Sequence, residues 1–175
     1  MELANLAFLE TYTLDDDDGI MGAILVTDKD TKPVEFRVTA PIKPTNFQKT
    51  LYGDVLREHI LVELVAVPLL NAVSEQVDLI LARDPLFLGT NNKQGIRVVR
   101  VYNEAEGHLN GTHEELLSPK GEKEKVFIET DKKFHSELPE IAKVLSSIAE
   151  QRLLTEPFER LKIACEQVHL QKTSE

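Results

Sequence analysis

Residues 44–76 read PTNFQKTLYGDVLREHILVELVAVPLLNAVSEQ, and the rest of the chain is organised around this stretch. Thr45, followed three residues later by Gln48, is typical of a capping box, in which hydroxyl and amide each bind a backbone N–H at a helix start. Apolar residues then follow at helical spacing, in the series Phe47, Leu51, Val55, Leu56, Ile60 and Leu64. This spacing predicts a long helix that buries one face.

The second half of this helix is apolar around nearly its whole circumference. One sheet face cannot cover such a surface, and a soluble monomer seldom exposes one of that size. We therefore predict self-association, most simply as a two-fold dimer. The residues assigned to the interaction are Ile60, Leu61, Val62, Val65 and Leu69. Pro68 is expected to kink or end the helix, because it lacks the backbone N–H.

The remaining pattern predicts an α+β fold. Three strands over residues 3–14, 20–27 and 34–39 are separated by turn residues and form an antiparallel meander. Shorter apolar runs predict further strands, and helical spacing returns after residue 138. We expect an antiparallel sheet of five or six strands packed on a long central helix, with a C-terminal helical hairpin. Residues 1–175 form a single domain, with a flexible excursion at about residues 103–125.

Composition restricts the function. The net charge of −10 makes nucleic acid an unlikely partner, because phosphate contacts need a basic surface. Apolar runs are too short to span a membrane. Cys165 is the single cysteine, which excludes an intrachain disulfide and is typical of a cytoplasmic protein. Its place on an apolar helix stripe predicts a buried, inert thiol. We expect no cofactor.

Two sets of residues are candidates for chemistry. Asp28, Glu35 and Asp84 are compatible with a metal-dependent hydrolase whose carboxylates lie on a nuclease-like hairpin. Arg37 stands where such a hairpin has a lysine, and arginine cannot serve as a base. His108 and His113 are weak candidates for a metal site, since they lack the helix and the intervening glutamate of a zinc protease.

Nucleophile-elbow, phosphate-loop and dinucleotide-binding motifs do not occur in the sequence. Their absence favours a non-catalytic protein-interaction or regulatory domain, with itself or another protein as partner. The metal-dependent hydrolase is one alternative. A small-molecule-sensing domain, with a pocket between sheet and helix, is another.

Several short stretches resemble an uncharacterised bacterial protein family. They are Gly22-Ala-Ile-Leu-Val-Thr-Asp28, Val34-Glu-Phe-Arg-Val-Thr39, Pro41-Ile-Lys-Pro-Thr45, Leu51-Tyr-Gly-Asp-Val-Leu56 and Glu156-Pro-Phe-Glu-Arg160. The resemblance covers about residues 20–60 and 156–160. It implies no activity and therefore adds no catalytic residue.

Overall fold

Seven strands form one sheet, in the order β3-β2-β1-β4-β5-β7-β6, in a computed structural model that describes residues 2–15, 19–117 and 124–174. The strands are β1 (Asn5–Thr13), β2 (Ile20–Asp28), β3 (Pro33–Val38), β4 (Leu79–Ala82), β5 (Val98–Asn103), β6 (Glu114–Glu115) and β7 (Val126–Glu129). The predicted β1–β2–β3 meander is confirmed, since both pairs are antiparallel. Residues 16–18, in the predicted first turn, lie outside the described residues.

The predicted fold class is wrong in the centre of the sheet. β4 pairs in parallel with β1 and with β5, so the seven-stranded sheet is mixed rather than antiparallel. All four residues of β4 are buried, as expected for a strand covered on both faces. Helices lie on both faces, so the sheet does not pack on one central helix.

One face is covered by the helical stretch that begins after Thr45. It comprises α1 (Asn46–Tyr52), a 3-10 turn (Gly53–Val55), α2 (Leu56–His59), a π segment (Ile60–Ala66) and α3 (Val67–Ala72). The predicted capping box is present: Thr45 Oγ1 accepts from the Gln48 N–H, and Gln48 Oε1 accepts from the Thr45 N–H. A long 3-10 segment, Pro85–Asn92, extends this layer.

Pro68 does not end this helix, which was one of the two expected outcomes, because helical conformation continues to Ala72. The Val67 N–H bonds the Val62 carbonyl five residues back, which is the π pattern. Pro68 then falls in the first turn of α3, where a missing N–H costs little.

The Ile60–Leu70 surface predicted for self-association is buried inside the chain. Its five assigned residues are at most 4% exposed and belong to the core between this helix and the sheet, apart from Val62, which is buried beside it. Gly22 of β2 permits this packing, because a Cβ there would lie 2.7 Å from Val65 Cγ2. These residues are therefore not exposed for a dimer interface, and the dimer prediction no longer has the surface that motivated it.

The other face carries the two C-terminal helices, α4 (Leu138–Ala149) and α5 (Glu156–Ser174). They enclose a second apolar core, in which the Phe8 and Phe158 rings meet edge to face with centroids 5.3 Å apart. Cys165 lies in this core, and burial raises the pKa of its thiol to about 11, as the inert-thiol prediction requires. Within the described residues, no helix is long and apolar enough to cross a membrane.

Candidate functional site

The carboxyl ends of β1, β4 and β5 meet at one edge of the sheet, because the three strands are parallel neighbours. In open sheets of this kind, ligands bind beyond the carboxyl ends of the strands. The chain leaving β5 folds back at this edge through a 3-10 turn, Glu104–Glu106. Arg83, directly after β4, holds the turn through an ion pair of 2.8 Å to Glu106.

Two histidines follow this turn and lie against each other. Gly107, with a φ of +80°, redirects the chain in a conformation that glycine adopts without strain. The His108 and His113 rings then stack with centroids 3.7 Å apart and planes 6° apart. Both meet the Phe127 ring of β7 edge to face, which fixes their height above the sheet. His108 is exposed and His113 is half-buried.

A buried carboxylate lies beneath the histidines. Glu129 Oε1 accepts from the backbone N–H groups of Leu109 (2.8 Å) and Asn110 (3.2 Å). Its Oε2 accepts from the Arg100 guanidinium at 3.1 Å. Glu129 is fully buried and Arg100 is 5% exposed. The two residues face each other across the β5–β7 pair.

The charge on Glu129 is stabilised despite its burial. Burial alone raises the pKa of this carboxyl, but the hydrogen bonds from Asn110, Leu109, Tyr102 and Arg100 outweigh burial and hold the pKa below its usual value. The group is therefore an anion at neutral pH, which is the form that binds a cation.

Tyr102 connects the carboxylate to the histidines. Its hydroxyl lies 2.7 Å from His108 Nδ1 and near the Glu129 carboxylate. Burial, followed by this contact with the carboxylate, raises the pKa of Tyr102, so the hydroxyl keeps its proton. The Arg100 guanidinium carbon stacks 4.1 Å from the Tyr102 ring centroid and holds the ring in place.

This cluster fits a divalent cation. One ligand atom from each of His108, His113 and Glu129 lies within 4.8 Å of the others. Two imidazoles and one carboxylate form a three-ligand set of the kind that leaves a position open for water in catalytic zinc sites. Arg100 partly offsets the charge of Glu129 and thereby lowers the expected affinity.

The weak metal candidates from the sequence, His108 and His113, are thus brought together. Glu129, Tyr102 and Arg100 were missed. A signal for two of them was present: Arg100 and Glu129 are single charged residues within otherwise apolar strands, and such residues are buried only when paired. Their partnership follows from strand register, which the sequence does not display.

The predicted carboxylates Asp28, Glu35 and Asp84 are not assembled into one group. Among the described residues, the cluster around His108 is the one group of three ligand side chains close enough to share an ion. The Asp28 carboxylate accepts from the N–H groups of Asp30 and Lys32 in the β2–β3 turn.

Glu35 and Asp84 have structural partners of their own. Glu35 accepts from the N–H groups of Ser74 and Glu75, just after α3, and pairs with Arg37. Asp84 caps the 3-10 segment through the Leu86 N–H and pairs with Arg57 at 2.7 Å. Catalytic roles for these carboxylates stay a prediction, and their present contacts favour structural roles.

One open cavity bears on the small-molecule hypothesis. It has a volume of about 400 Å³ and lies between the long helix and the 3-10 segment, beside the stacked rings of Tyr52 and His59. A sensing function stays a prediction, because the cavity is wide open and two of its charged lining residues, Glu63 and Lys93, already form an ion pair.

Comparison with known proteins identifies a fold. No protein-family model matches the chain, and no curated protein matches it in sequence. Among solved structures, it is similar to Endonuclease V from Ciona intestinalis in complex with a 23mer DNA containing an inosine followed by a ribo-adenosine. The TM-score is 0.56 at 11% identity, over 98% of this chain and 87% of that one. This chain has the fold of that endonuclease.

This likeness corrects two expectations. Nucleic acid was judged an unlikely partner from the net charge of −10, yet a protein of the same fold is seen in complex with DNA. Net charge describes the whole surface and does not exclude local cationic or metal-assisted contacts. The interpretation as a non-catalytic protein-interaction domain is also overturned: the fold is similar to that of a solved endonuclease, and His108, His113 and Glu129 lie close enough together to hold a metal ion.

Proposed function

We propose that this protein is a metal-dependent hydrolase that cleaves phosphodiester bonds in nucleic acid. The supporting observation is the position of the His108–His113–Glu129 cluster at the carboxyl edge of the parallel strands, in a chain with an endonuclease V fold. The proposal includes a cytoplasmic location, in agreement with the single reduced cysteine.

The chemistry follows from the ligand set. A bound divalent ion would lower the pKa of a water ligand and polarise a phosphoryl oxygen. Glu129 is buried beneath the histidines while His108 is exposed, so the open side of the cluster faces solvent and a substrate can reach it. Tyr102 orients the His108 ring, and Arg100 holds Glu129.

Cationic side chains also lie along this edge. Arg83 follows β4 directly, and Arg57 extends to Asp84 at the same strand end. Both are partly exposed, and both arginines can exchange their carboxylate partner for a phosphate, since guanidinium groups bind both kinds of anion. This local arrangement gives a phosphate-binding edge within an acidic protein.

The test is a cleavage assay on end-labelled oligonucleotides. The substrates are a 23mer DNA with an inosine followed by a ribo-adenosine, as in the neighbouring structure, the matching unmodified DNA, and single-stranded RNA. Each is incubated with the purified chain and Mg²⁺, Mn²⁺ or Zn²⁺, and products are resolved on a denaturing gel. We expect cleavage that requires an added ion and is abolished by EDTA.

Variants identify the residues responsible. His108→Gln and His113→Gln should lose cleavage, whereas His59→Gln, outside the cluster, should retain it. Asp28→Asn and Glu35→Gln test the hairpin carboxylates, and both should retain cleavage because these groups serve turns and helix ends. Absence of cleavage of all three substrates with every ion contradicts the proposal. Loss in Asp28→Asn alone would return the active site to the β2–β3 hairpin.

A further inference from the structure

We infer that the His108–His113–Glu129 cluster selects a late first-row transition ion of the Zn²⁺ class over Mg²⁺, with Tyr102 as the residue that positions His108. This deepens the proposed function, since it concerns the same site. It requires only that the chain binds an ion there, whether or not cleavage follows.

Ligand chemistry separates the two ions. Mg²⁺ prefers six oxygen ligands in near-ideal octahedral geometry and retains several waters. Imidazole nitrogen instead suits Zn²⁺, Cu²⁺, Ni²⁺ and Fe²⁺. The cluster offers two imidazoles and a single carboxylate, so a Mg²⁺ ion there would exchange water oxygens for nitrogen ligands it binds poorly.

The Tyr102 hydroxyl orients the His108 ring. The hydroxyl oxygen lies 2.7 Å from His108 Nδ1. In the tautomer in which Nδ1–H donates to this oxygen, Nε2 keeps its lone pair for an ion, and a hydrogen bond of this kind from the second ring nitrogen orients a ligating histidine.

His113 contributes a second nitrogen atom that is available to an ion. Its Nδ1 is buried and has no hydrogen-bond partner among the described residues. A buried polar atom of this kind costs free energy unless a water or an ion satisfies it. The two rings stack face to face, so their in-plane lone pairs run nearly parallel, and one ring must turn before both nitrogens, which lie within 4.8 Å of each other, can bind one ion.

Both oxygens of Glu129 already accept hydrogen bonds. Its Oε1 accepts from the N–H groups of Leu109 and Asn110. Its Oε2 accepts from the Arg100 guanidinium at 3.1 Å, and an ion would compete with this donor at Oε2. A site built in this way binds more weakly than a carboxylate free of other partners, and the two imidazoles carry most of the affinity.

The experiment measures ion binding directly. The metal-free full chain is titrated with ZnCl₂ and with MgCl₂ by isothermal calorimetry, and bound zinc is counted after dialysis. We expect one Zn²⁺ per chain and at least a 100-fold weaker response to Mg²⁺. His108→Gln and His113→Gln should each weaken Zn²⁺ binding at least tenfold. The matched control His59→Gln removes a histidine outside the cluster and should bind as the parent does.

Tyr102→Phe tests the positioning role. It removes the hydroxyl and retains the ring beneath Arg100. Loss of such an outer partner weakens metal affinity by about 10- to 100-fold. With Co²⁺ in place of Zn²⁺, the visible d–d bands of the variant should shift in position or intensity, which a change in stability alone would not cause. Circular dichroism of each variant confirms that the fold is retained.

The outcomes separate this inference from the proposed function. Zinc binding at the cluster without cleavage supports the inference and contradicts the hydrolase. Mg²⁺-dependent cleavage that persists in His108→Gln, by a chain that binds no Zn²⁺, supports a hydrolase with its active site elsewhere and overturns the inference. Equal affinity for the two ions, zinc binding unchanged in both cluster histidine variants, or an unchanged cobalt spectrum in Tyr102→Phe also overturns it.

Discussion

At Gly22 the sheet and the long helix lie in close contact, and Gly22→Ala tests the packing there. A Cβ at this position would lie 2.7 Å from Val65 Cγ2 and 2.9 Å from Val65 Cβ, both well inside van der Waals contact. β2 is paired on both sides, to β1 and β3, and cannot move away from the helix without disturbing two strand ladders.

The expected change in the free energy of unfolding combines two opposing effects. Overpacking of a well-filled core costs about 1–3 kcal/mol. Replacement of glycine by alanine in a strand returns about 0.5–1 kcal/mol, because the unfolded chain loses freedom. We expect Gly22→Ala to lower the free energy of unfolding by about 1–2 kcal/mol. For a chain of this size, the melting temperature falls by about 2–4 °C per kcal/mol.

Urea unfolding followed by circular dichroism measures the change, and a double variant identifies its cause. Val65→Ala alone removes two buried methyl groups and should cost about 2–3 kcal/mol. In Gly22→Ala/Val65→Ala the new methyl occupies the vacated space, so the double variant should be less destabilised than the sum of the singles. Gly95→Ala, with open space around its Cβ, is the matched control and should be near neutral.

Two results would refute this reasoning. A Gly22→Ala variant as stable as the parent chain would mean that the helix is not held against β2. Strict additivity of Gly22→Ala and Val65→Ala would show that the two residues do not share one space.

Three further predictions concern charge, metal and helix ends. Burial raises the pKa of Glu10, so the folded state binds the proton of this carboxyl more tightly than the unfolded state, and the contribution of Glu10 to stability is lost as pH rises through the raised pKa. Glu10→Gln keeps the acceptor for the Thr11 N–H, and at pH 7 its free energy of unfolding in urea should exceed that of the parent chain. Zn²⁺ at 100 times its dissociation constant should add about 2.7 kcal/mol to the free energy of unfolding, seen as a rise in melting temperature that EDTA reverses and that His108→Gln lacks. Thr45→Ala removes the capping hydroxyl and should cost about 1 kcal/mol in the same unfolding assay, whereas Thr50→Ala, within α1, should cost less.

Local patterns in the sequence predicted local structure well. The β1–β2–β3 meander and the helix start at Thr45 depend on turns and caps a few residues long, and both are present. The parallel pairing of β1 with β4 joins residues more than 70 positions apart, as Leu6 with Leu79. A continuous apolar run such as Leu79–Ala82 is typical of a parallel strand, but it does not name its neighbours.

In the candidate site too, the sequence predicted contacts between nearby residues and missed those between distant ones. His108 and His113 are five positions apart, so their proximity could be anticipated from the sequence. Glu129 joins them only because β7 pairs with β5 in the register that sets it opposite Arg100. The apolar Ile60–Leu70 stretch led to a wrong prediction, that of an exposed surface for self-association. Its excess of apolar residues is covered from within the chain by the sheet and by residues of the Pro85–Asn92 segment, of which Phe87 is fully buried.

The length of the π segment Ile60–Ala66 sets how the two halves of the long helix are rotated relative to each other about the helix axis. A residue of an α-helix advances the side-chain direction by about 100°, so a one-residue deletion in this segment would leave both halves helical and turn one against the other. The π segment itself is held against the sheet by its buried residues Ile60, Leu61 and Val65, whereas Phe47, Leu51 and Val55 before it are 60–71% exposed. A length change inside the segment would therefore move core side chains out of place, whereas one in the exposed half before Leu56 would alter only the outer face, and natural insertions or deletions are expected in that first half.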